Sequence, residues 1–369
     1  MIQPINQTVF SPLLVSTAVL SLLGCVLSSG QAKAATITAP TGFTASLFAA
    51  DPVGASAPDS VAIGGNNVFI GYGNRTKSDG SDDLPTTIGE YTTSGQLVKT
   101  FSVPGHDDGL RVNPTTGEVY ALLNQDGNPL LTIINPTTNA QTTYSLPADT
   151  GRGYDDLRFV SGQAFVSITN PVDGTSPVVG QLISSGNTFT ITPILTAGAA
   201  AVDSSGNPVT LNVQDPDSLG VSPTGSLLLD DQDGEALISI SNPGTPSQQA
   251  TFLPHSGASV DDTVFAPTGA STLLVADTSG ATEGVYQISG PFTPGTAYTS
   301  VTGSNFVGTL VPLSGTVAPF VSGLTSPHGL SFVNASSVPE PSEVLGILAF
   351  GAIGAGCVRK RHRRNKSAV

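Results

Sequence analysis

Short apolar runs recur along this chain behind one kind of lead-in: an acidic residue or a histidine, then a small or polar residue, then alternating apolar positions. They stand at Asp59-Ser60-Val61, Asp108-Gly109-Leu110, Asp155-Asp156-Leu157, Asp217-Ser218-Leu219, Asp262-Thr263-Val264 and His328-Gly329-Leu330. After the first five, a second apolar segment follows a turn marked by Gly or Pro. These segments are Val68-Phe69-Ile70, Val119-Tyr120-Ala121-Leu122, residues 164–168, Leu227-Leu228-Leu229 and Leu273-Leu274-Val275-Ala276. Runs of this length, rich in Val, Ile, Leu and Phe and bounded by turn residues, predict strands. The leads recur at intervals of 45 to 66 residues, so the chain is an array of similar units.

Each unit continues into a hairpin. The pattern pairs residues 88–91 with 97–103, 131–134 with 142–146, 179–183 with 188–195, 236–240 with 250–253, and 284–288 with 297–301. Turns such as Thr93-Ser94-Gly95-Gln96 supply the residues that hairpins need. Four antiparallel strands per unit form the blade of a β-propeller. Two long intervals are accounted for by an Ala-rich excursion over 197–214 and a further hairpin of 307–310 with 317–320. The last lead, at His328, has no second strand after it, and the segment 41–48 is a strand without a nearby partner. The two ends are therefore expected to share a closing blade. The fold class read from this is all-β, a six-bladed propeller; five or seven blades would need only one hairpin to be reassigned.

Composition agrees. The chain has 42 Gly, 28 Pro and no Trp, and Ser, Thr and Val crowd short segments, which favours many short strands over helices. The charge is lopsided: between residues 35 and 338 stand 21 Asp and 4 Glu against Arg75, Lys77, Lys99, Arg111, Arg152 and Arg158, a balance of −19. Such a domain repels nucleic acid and anionic head groups and attracts cations.

The two ends read differently from the middle. Residues 1–34 have an apolar core over 13–27 and an Ala32-Lys33-Ala34 cleavage pattern, as in a secretory signal, although no Lys or Arg precedes Lys33. Leu22-Leu23-Gly24-Cys25 resembles a bacterial lipobox, which would make Cys25 a lipidation site; the Ala-Lys-Ala pattern is the better fit. At the other end, over 338–369, Pro339-Glu340-Pro341 precedes an apolar run over 344–358 and then Arg359-Lys360-Arg361-His362-Arg363-Arg364. This series resembles the PEP-CTERM sorting signal of bacteria. The resemblance implies export, a membrane-anchored precursor held by a C-terminal transmembrane helix, processing by an exosortase-type protease, and a final place at the cell surface or outside it. The apolar run is shorter than the usual span of about 20 residues, and the basic tail would stay cytoplasmic. Cys25 and Cys357 fall in these end segments, so the domain over 35–337 holds no disulfide.

The leads Pro58-Asp59-Ser60-Val61, Pro216-Asp217-Ser218-Leu219 and Pro327-His328-Gly329-Leu330 resemble those of NHL and regucalcin/gluconolactonase-like propellers. That resemblance implies a fold more than an activity. In a closed propeller Asp59, Asp108, Asp155, Asp217, Asp262 and His328 would gather at one mouth of the channel, thickened by Asp107, Asp156, Asp215 and Asp261. Clustered carboxylates suit calcium or another divalent cation, whereas each Asp taken singly suits a turn cap. Asp230-Asp231-Gln232-Asp233-Gly234-Glu235 fails as an EF-hand loop, because no register places both its glycine and its terminal glutamate. Arg111 and Arg158 share one aligned position, from which they would neutralise the acidic ring or hold an anion. His106, His255 and His328 lack metal-ligand spacing; His106 beside Asp107 reads as a loop histidine, and no serine motif marks a nucleophile. The resemblance to lactonases implies an early Glu among the metal ligands, but Glu90 is the first Glu and lies in a hairpin. The reading reached is a non-enzymatic, surface-sorted propeller that binds an extracellular polymer or protein, with a metal-dependent hydrolase of the lactonase type as the alternative.

Overall fold

The structure, a computed structural model, describes residues 36–148, 151–255 and 258–333. The expected leader, the sorting segment with Pro339, Glu340 and Pro341, and both cysteines lie outside the described residues. Among the described residues no helix is long and apolar enough to cross a membrane.

Six antiparallel sheets form the blades. Blade one is Pro58–Gly64, Asn67–Tyr72, Pro85–Thr92 and Leu97–Pro104; blade two is Asp107–Val112, Val119–Leu123, Leu130–Asn135 and Ala140–Ser145. Blade three is Leu157–Val160, Gln163–Ser167, Pro177–Ser185 and Thr188–Thr196; blade four begins with Pro216–Val221, Leu227–Asp231, Ala236–Ser241 and Gln249–Pro254. The Ala-rich excursion extends blade four to six strands, with Ala200–Val202 meeting its edge in parallel at Thr251 and Pro208–Thr210 outside that.

Each inner strand lies against the inner strands of the blades on either side, which closes the ring. The core is correspondingly divided. Six apolar clusters fill the six gaps between blades, for example Val61, Tyr72, Leu274 and Val285 between blades six and one, and Leu122, Leu157, Val166 and Leu182 between two and three. An apolar strand flanked by a neighbour on each face is buried on both, which explains why the second strands read as unbroken apolar runs. The turns follow their residues: at Ser222–Ser226 the Ser222 amide donates to the Ser226 carbonyl, and Gly225 sits at φ +84°, open to glycine at little cost.

The closing blade departs from the sequence reading. The strand Thr272–Asp277 was expected beside the Asp262 lead, and 284–288 beside 297–301. Instead the inner strand Val260–Phe265 pairs with Ala297–Val301, and Phe306–Val311 and Thr316–Ser322 complete blade five. The hairpin Thr272–Asp277 with Gly284–Ser289 crosses into blade six, between the inner strand Pro327–Val333 and the N-terminal strand Thr44–Leu47. The inner strand Pro327–Val333 thus takes its neighbour from an upstream hairpin, because a β-strand edge is satisfied by whichever strand reaches it in space. The expected sharing of the closing blade by the two ends is observed. It is reinforced by an antiparallel bridge from Thr38 to Ser322 and by Phe43, whose ring lies edge-on to Phe292 at 5.0 Å and Phe320 at 4.9 Å.

Candidate functional site at the acidic mouth of the channel

Each inner strand except that of blade three is irregular at its first residues. Pro58 pairs with Tyr72 and Val61 with Ile70; Asp107 pairs with Leu123 and Gly109 with Leu122; Pro216 pairs with Asp231 and Leu219 with Leu229; Val260 pairs with Val301 and Thr263 with Thr299; Pro327 pairs with Asp277 and Leu330 with Val275. Between these pairings the inner strand carries an extra residue, a bulge that re-aims its side chains. Where the strand carries Pro, the missing N–H falls at its first residue, where it is tolerated.

This register corrects one alignment. The residues equivalent to Asp59 are Asp108, Asp155, Asp217, Asp261 and His328; Asp262 is equivalent to Asp156, one step deeper. The doubled acid at Asp261-Asp262 allowed either alignment, and only the ladder at Thr263 decides. All of these residues line one cavity of about 330 Å³ at the mouth. The inner strands approach so closely that a Cβ on Gly329 would lie 2.5 Å from the Asp59 carbonyl oxygen, and one on Gly109 would lie 2.6 Å from that of Asp155.

The mouth has two unlike sectors. In the first, His328 Nδ1 lies 3.2 Å from Asp59 Oδ1 and 3.1 Å from Asp261 Oδ2, while Nε2 meets the Ser326 hydroxyl at 3.0 Å. Burial alone would lower the His328 pKa, but Asp261 and Asp59 raise it to about 10. In the second stand Asp155 and Asp217 of adjacent blades, and both carboxyls are pushed well above the usual range by burial and by neighbouring carboxylates. Carboxyls raised in this way keep a proton that an exposed carboxyl would lose.

His106 was read as a solvated loop histidine beside Asp107; the structure places it on the cavity wall against Asp108, with Nε2 3.2 Å from Asp108 Oδ1. The Thr76 hydroxyl donates to the Gly73 carbonyl at 2.7 Å, so it accepts from His106 Nδ1 at 2.8 Å. Both ring nitrogens therefore face acceptors, which describes an imidazolium. Burial works against that charge, but the hydrogen bond and charge of Asp108 prevail and hold the pKa at about 9. Asp108 itself is raised by burial to about 6, and Asp261 to about 7.

Below the ring lies a second, drier layer. Asp156 accepts from Arg111 Nη2 at 2.6 Å and from the Leu219 amide of the next blade at 2.9 Å. Asp262 repeats the second contact, accepting from the Leu330 amide at 2.8 Å, but its Oδ1 has no partner. Asp107 accepts from Ser60 at 3.0 Å and Asp230 from Thr263 at 3.0 Å; each leaves one oxygen unpartnered, and burial pushes both carboxyls well above the usual range. Asp107, Asp230 and Asp262 are at most 1% exposed. The expected neutralising role of Arg111 is met by its ion pair with Asp156.

Other sequence candidates fall elsewhere. Asp231 accepts from the Gln214, Asp215 and Gly234 amides, a turn-holding role. Glu90 is buried away from the mouth with Asn67 and Lys99. His255 is buried at the end of blade four and does not line the cavity. Among the described residues no three His, Cys, Asp or Glu side chains, as they stand, are gathered tightly enough to hold a metal ion. The set assembled at the mouth is nevertheless one of hard oxygen donors, with Gln125, Asn170, Asp126 and Asp215 on its outer wall.

No protein-family model matches the sequence, and no curated protein matches it. Among solved structures the chain is similar to a candidate gluconolactonase, at 14% identity over 81% of this chain and 91% of that one, with a TM-score of 0.47. It is similar to a chain of a nidogen/laminin complex at 10% identity over 75% and 85%, with a TM-score of 0.47. It is also similar to a streptogramin B lyase at 14% identity over 79% and 98%, with a TM-score of 0.46. At these identities and scores nothing about ligand or activity follows for this chain.

Proposed function

We infer that this is a non-enzymatic binding propeller whose acidic mouth takes up a divalent cation, calcium by the chemistry of its donors. The observation that carries the reading is the convergence of five blades' equivalent carboxylates on one cavity, with the buried Asp262 Oδ1 left partnerless at its edge. His328 already neutralises Asp59 and Asp261, so the cation belongs in the opposite sector, where Asp155 and Asp217 hold a proton that an ion would displace. The carboxylates would have to turn inward around the ion. In this reading the protein is exported through its N-terminal signal and sorted to the cell surface by the Pro339-Glu340-Pro341 segment and an exosortase-type protease. There the loaded mouth engages an extracellular polymer or protein.

The hydrolase alternative has one observation behind it, the contact of His106 with Asp108 in the cavity. An imidazolium held by two acceptors is a poor general base at neutral pH, and the binding reading is favoured for that reason. The test is thermal melting of the purified protein at about pH 8. Calcium at a hundredfold excess over its dissociation constant should stabilise the fold by about 2.7 kcal/mol, and chelator should reverse this. Asp155→Asn with Asp217→Asn should raise the melting temperature without calcium, because repulsion is removed, and abolish most of the calcium response. A melt indifferent to calcium, magnesium, manganese and chelator overturns the reading.

A further inference from the structure

The opposite end of the channel has the reverse character. The inner strands all begin at the acidic mouth, so their last residues, among them Ile63, Val112, Val221 and Phe265, ring the far end. There they wall a second cavity of about 350 Å³, within the size range of small-molecule sites. Its lining residues are apolar in type apart from Ser331 and two arginines of adjacent blades, Arg111 and Arg158, although guanidinium and backbone groups make its exposed surface mixed in polarity.

The two guanidiniums are not fully occupied by the protein. Arg111 is 7% exposed and reaches both cavities. Its Nη2 pairs with Asp156 and its Nη1 donates to the Leu110 carbonyl, but its Nε is buried without an acceptor. Arg158, half-buried at the equivalent place one blade on, makes no hydrogen bond or ion pair among the described residues. Asp262 and Asp156 act on it only through their charge, and burial together with the neighbouring charge of Arg111 lowers its pKa to about 10. A cation left unpaired beside a second cation and backed by apolar walls is costly unless something neutralises it.

We propose that this far cavity is a binding site for a small amphipathic monocarboxylate, its carboxylate forked onto the guanidinium of Arg158 and its aliphatic body against Val264, Phe265 and Phe332. A carboxylate matches the planar fork of a guanidinium. A polyanion is disfavoured, since the −19 balance of residues 35–338 repels it at long range, so apolar burial must supply much of the affinity. The proposal does not rest on the cation reading: it uses none of the ring carboxylates, and Arg111 is the wall residue the two cavities share.

The experiment is titration of the purified protein with sodium octanoate, octan-1-ol and octylammonium below their aggregation limits, followed by calorimetry and ligand-observed NMR. Octanoate should bind about tenfold or more tightly than octanol, the worth of one charge-assisted hydrogen bond, and octylammonium should not bind. Arg158→Gln should bring octanoate down to the level of octanol. Ser331→Trp, which fills the cavity, should abolish both, with folding checked by the unchanged circular dichroism of each variant. Asp155→Asn with Asp217→Asn should leave octanoate binding intact. Octanoate bound no better than octanol, or bound equally well by Arg158→Gln, makes Arg158 a mere counter-charge for the acidic layer and overturns the proposal. Equal loss in the Asp155/Asp217 variant places the ligand at the other mouth and overturns it too.

Discussion

His328 shows how much one side chain does at the mouth: it neutralises two carboxylates from neighbouring blades, and its own charge exists only because they surround it. The same dependence gives a direction for pH. His106 and His328 bind their protons more tightly when folded, at about 9 and about 10 against an ordinary 6.5. Their stabilisation is complete below about 6.5 and is lost as pH rises through those values. Asp108 and Asp261, held at about 6 and about 7 against an ordinary 3.8, act the same way: their contribution is complete below about 3.8 and lost as pH rises through 6 to 7. In all four the folded state holds the extra proton, so stability falls with rising pH. Asp79, Asp173 and Asp203, held low by hydrogen bonds from Ser81, Thr175 and Asn207, oppose this only in acid. Without divalent cations, the melting temperature should therefore fall between about pH 5 and about pH 9. The calcium response should grow over the same span, because calcium competes with those protons. A melting temperature that rises toward alkaline pH would contradict this balance. The residues of the ring were legible in the sequence as a recurring acid before an apolar run, but their partners were not. His106 pairs with Asp108 and not its neighbour Asp107, because alternation along the strand sends successive side chains to opposite sides.

At the scale of elements, the clasp that holds each inner strand's entrance matters as much as the ladder. Asp277 stands opposite Pro327 and accepts from the Thr325 amide at 3.0 Å and the Ser326 amide at 2.5 Å, just before the last inner strand begins. Asp231, opposite Pro216, does the same for the Gln214 and Asp215 amides. Asp277 is 0% exposed, so removing its carboxylate strands two amides beside a buried gap. With hydrogen bonds to a charged group worth roughly 1.5–3 kcal/mol each, Asp277→Ala should cost on the order of 3 kcal/mol in chemical denaturation. A loss below about 1 kcal/mol would show that water replaces the clasp. The blade it secures is also where the sequence reading failed. Hairpin pairing by proximity placed Thr272–Asp277 in blade five, and nothing in its four apolar residues says which neighbour they face. That choice was made by the unfilled edge of Pro327–Val333, far along the chain.

For the whole molecule, the divided core means that no blade buries its faces alone, and closure depends on both ends of the described domain. The proposed sorting route adds an expectation at this scale. In a bacterium with a matching exosortase, the intact mass of the surface-exposed protein should lack residues 344–369, and recovery of the basic tail would count against the route. Much of the architecture was determined by sequence alone: strand locations, four strands to a unit, six units and a closing blade shared by the ends. Those features follow from local alternation, turn residues and a count of repeats, all of which are properties of neighbouring positions. The tertiary structure alone decided the rest. It chose Asp261 over Asp262 for the ring, because a bulge is defined by the partner strand. It exchanged a hairpin between blades five and six, because an edge strand must find a partner wherever the chain supplies one. It also left Arg158 without an ion pair among the described residues at the far mouth, because pairing depends on distances between blades that no spacing along the chain encodes.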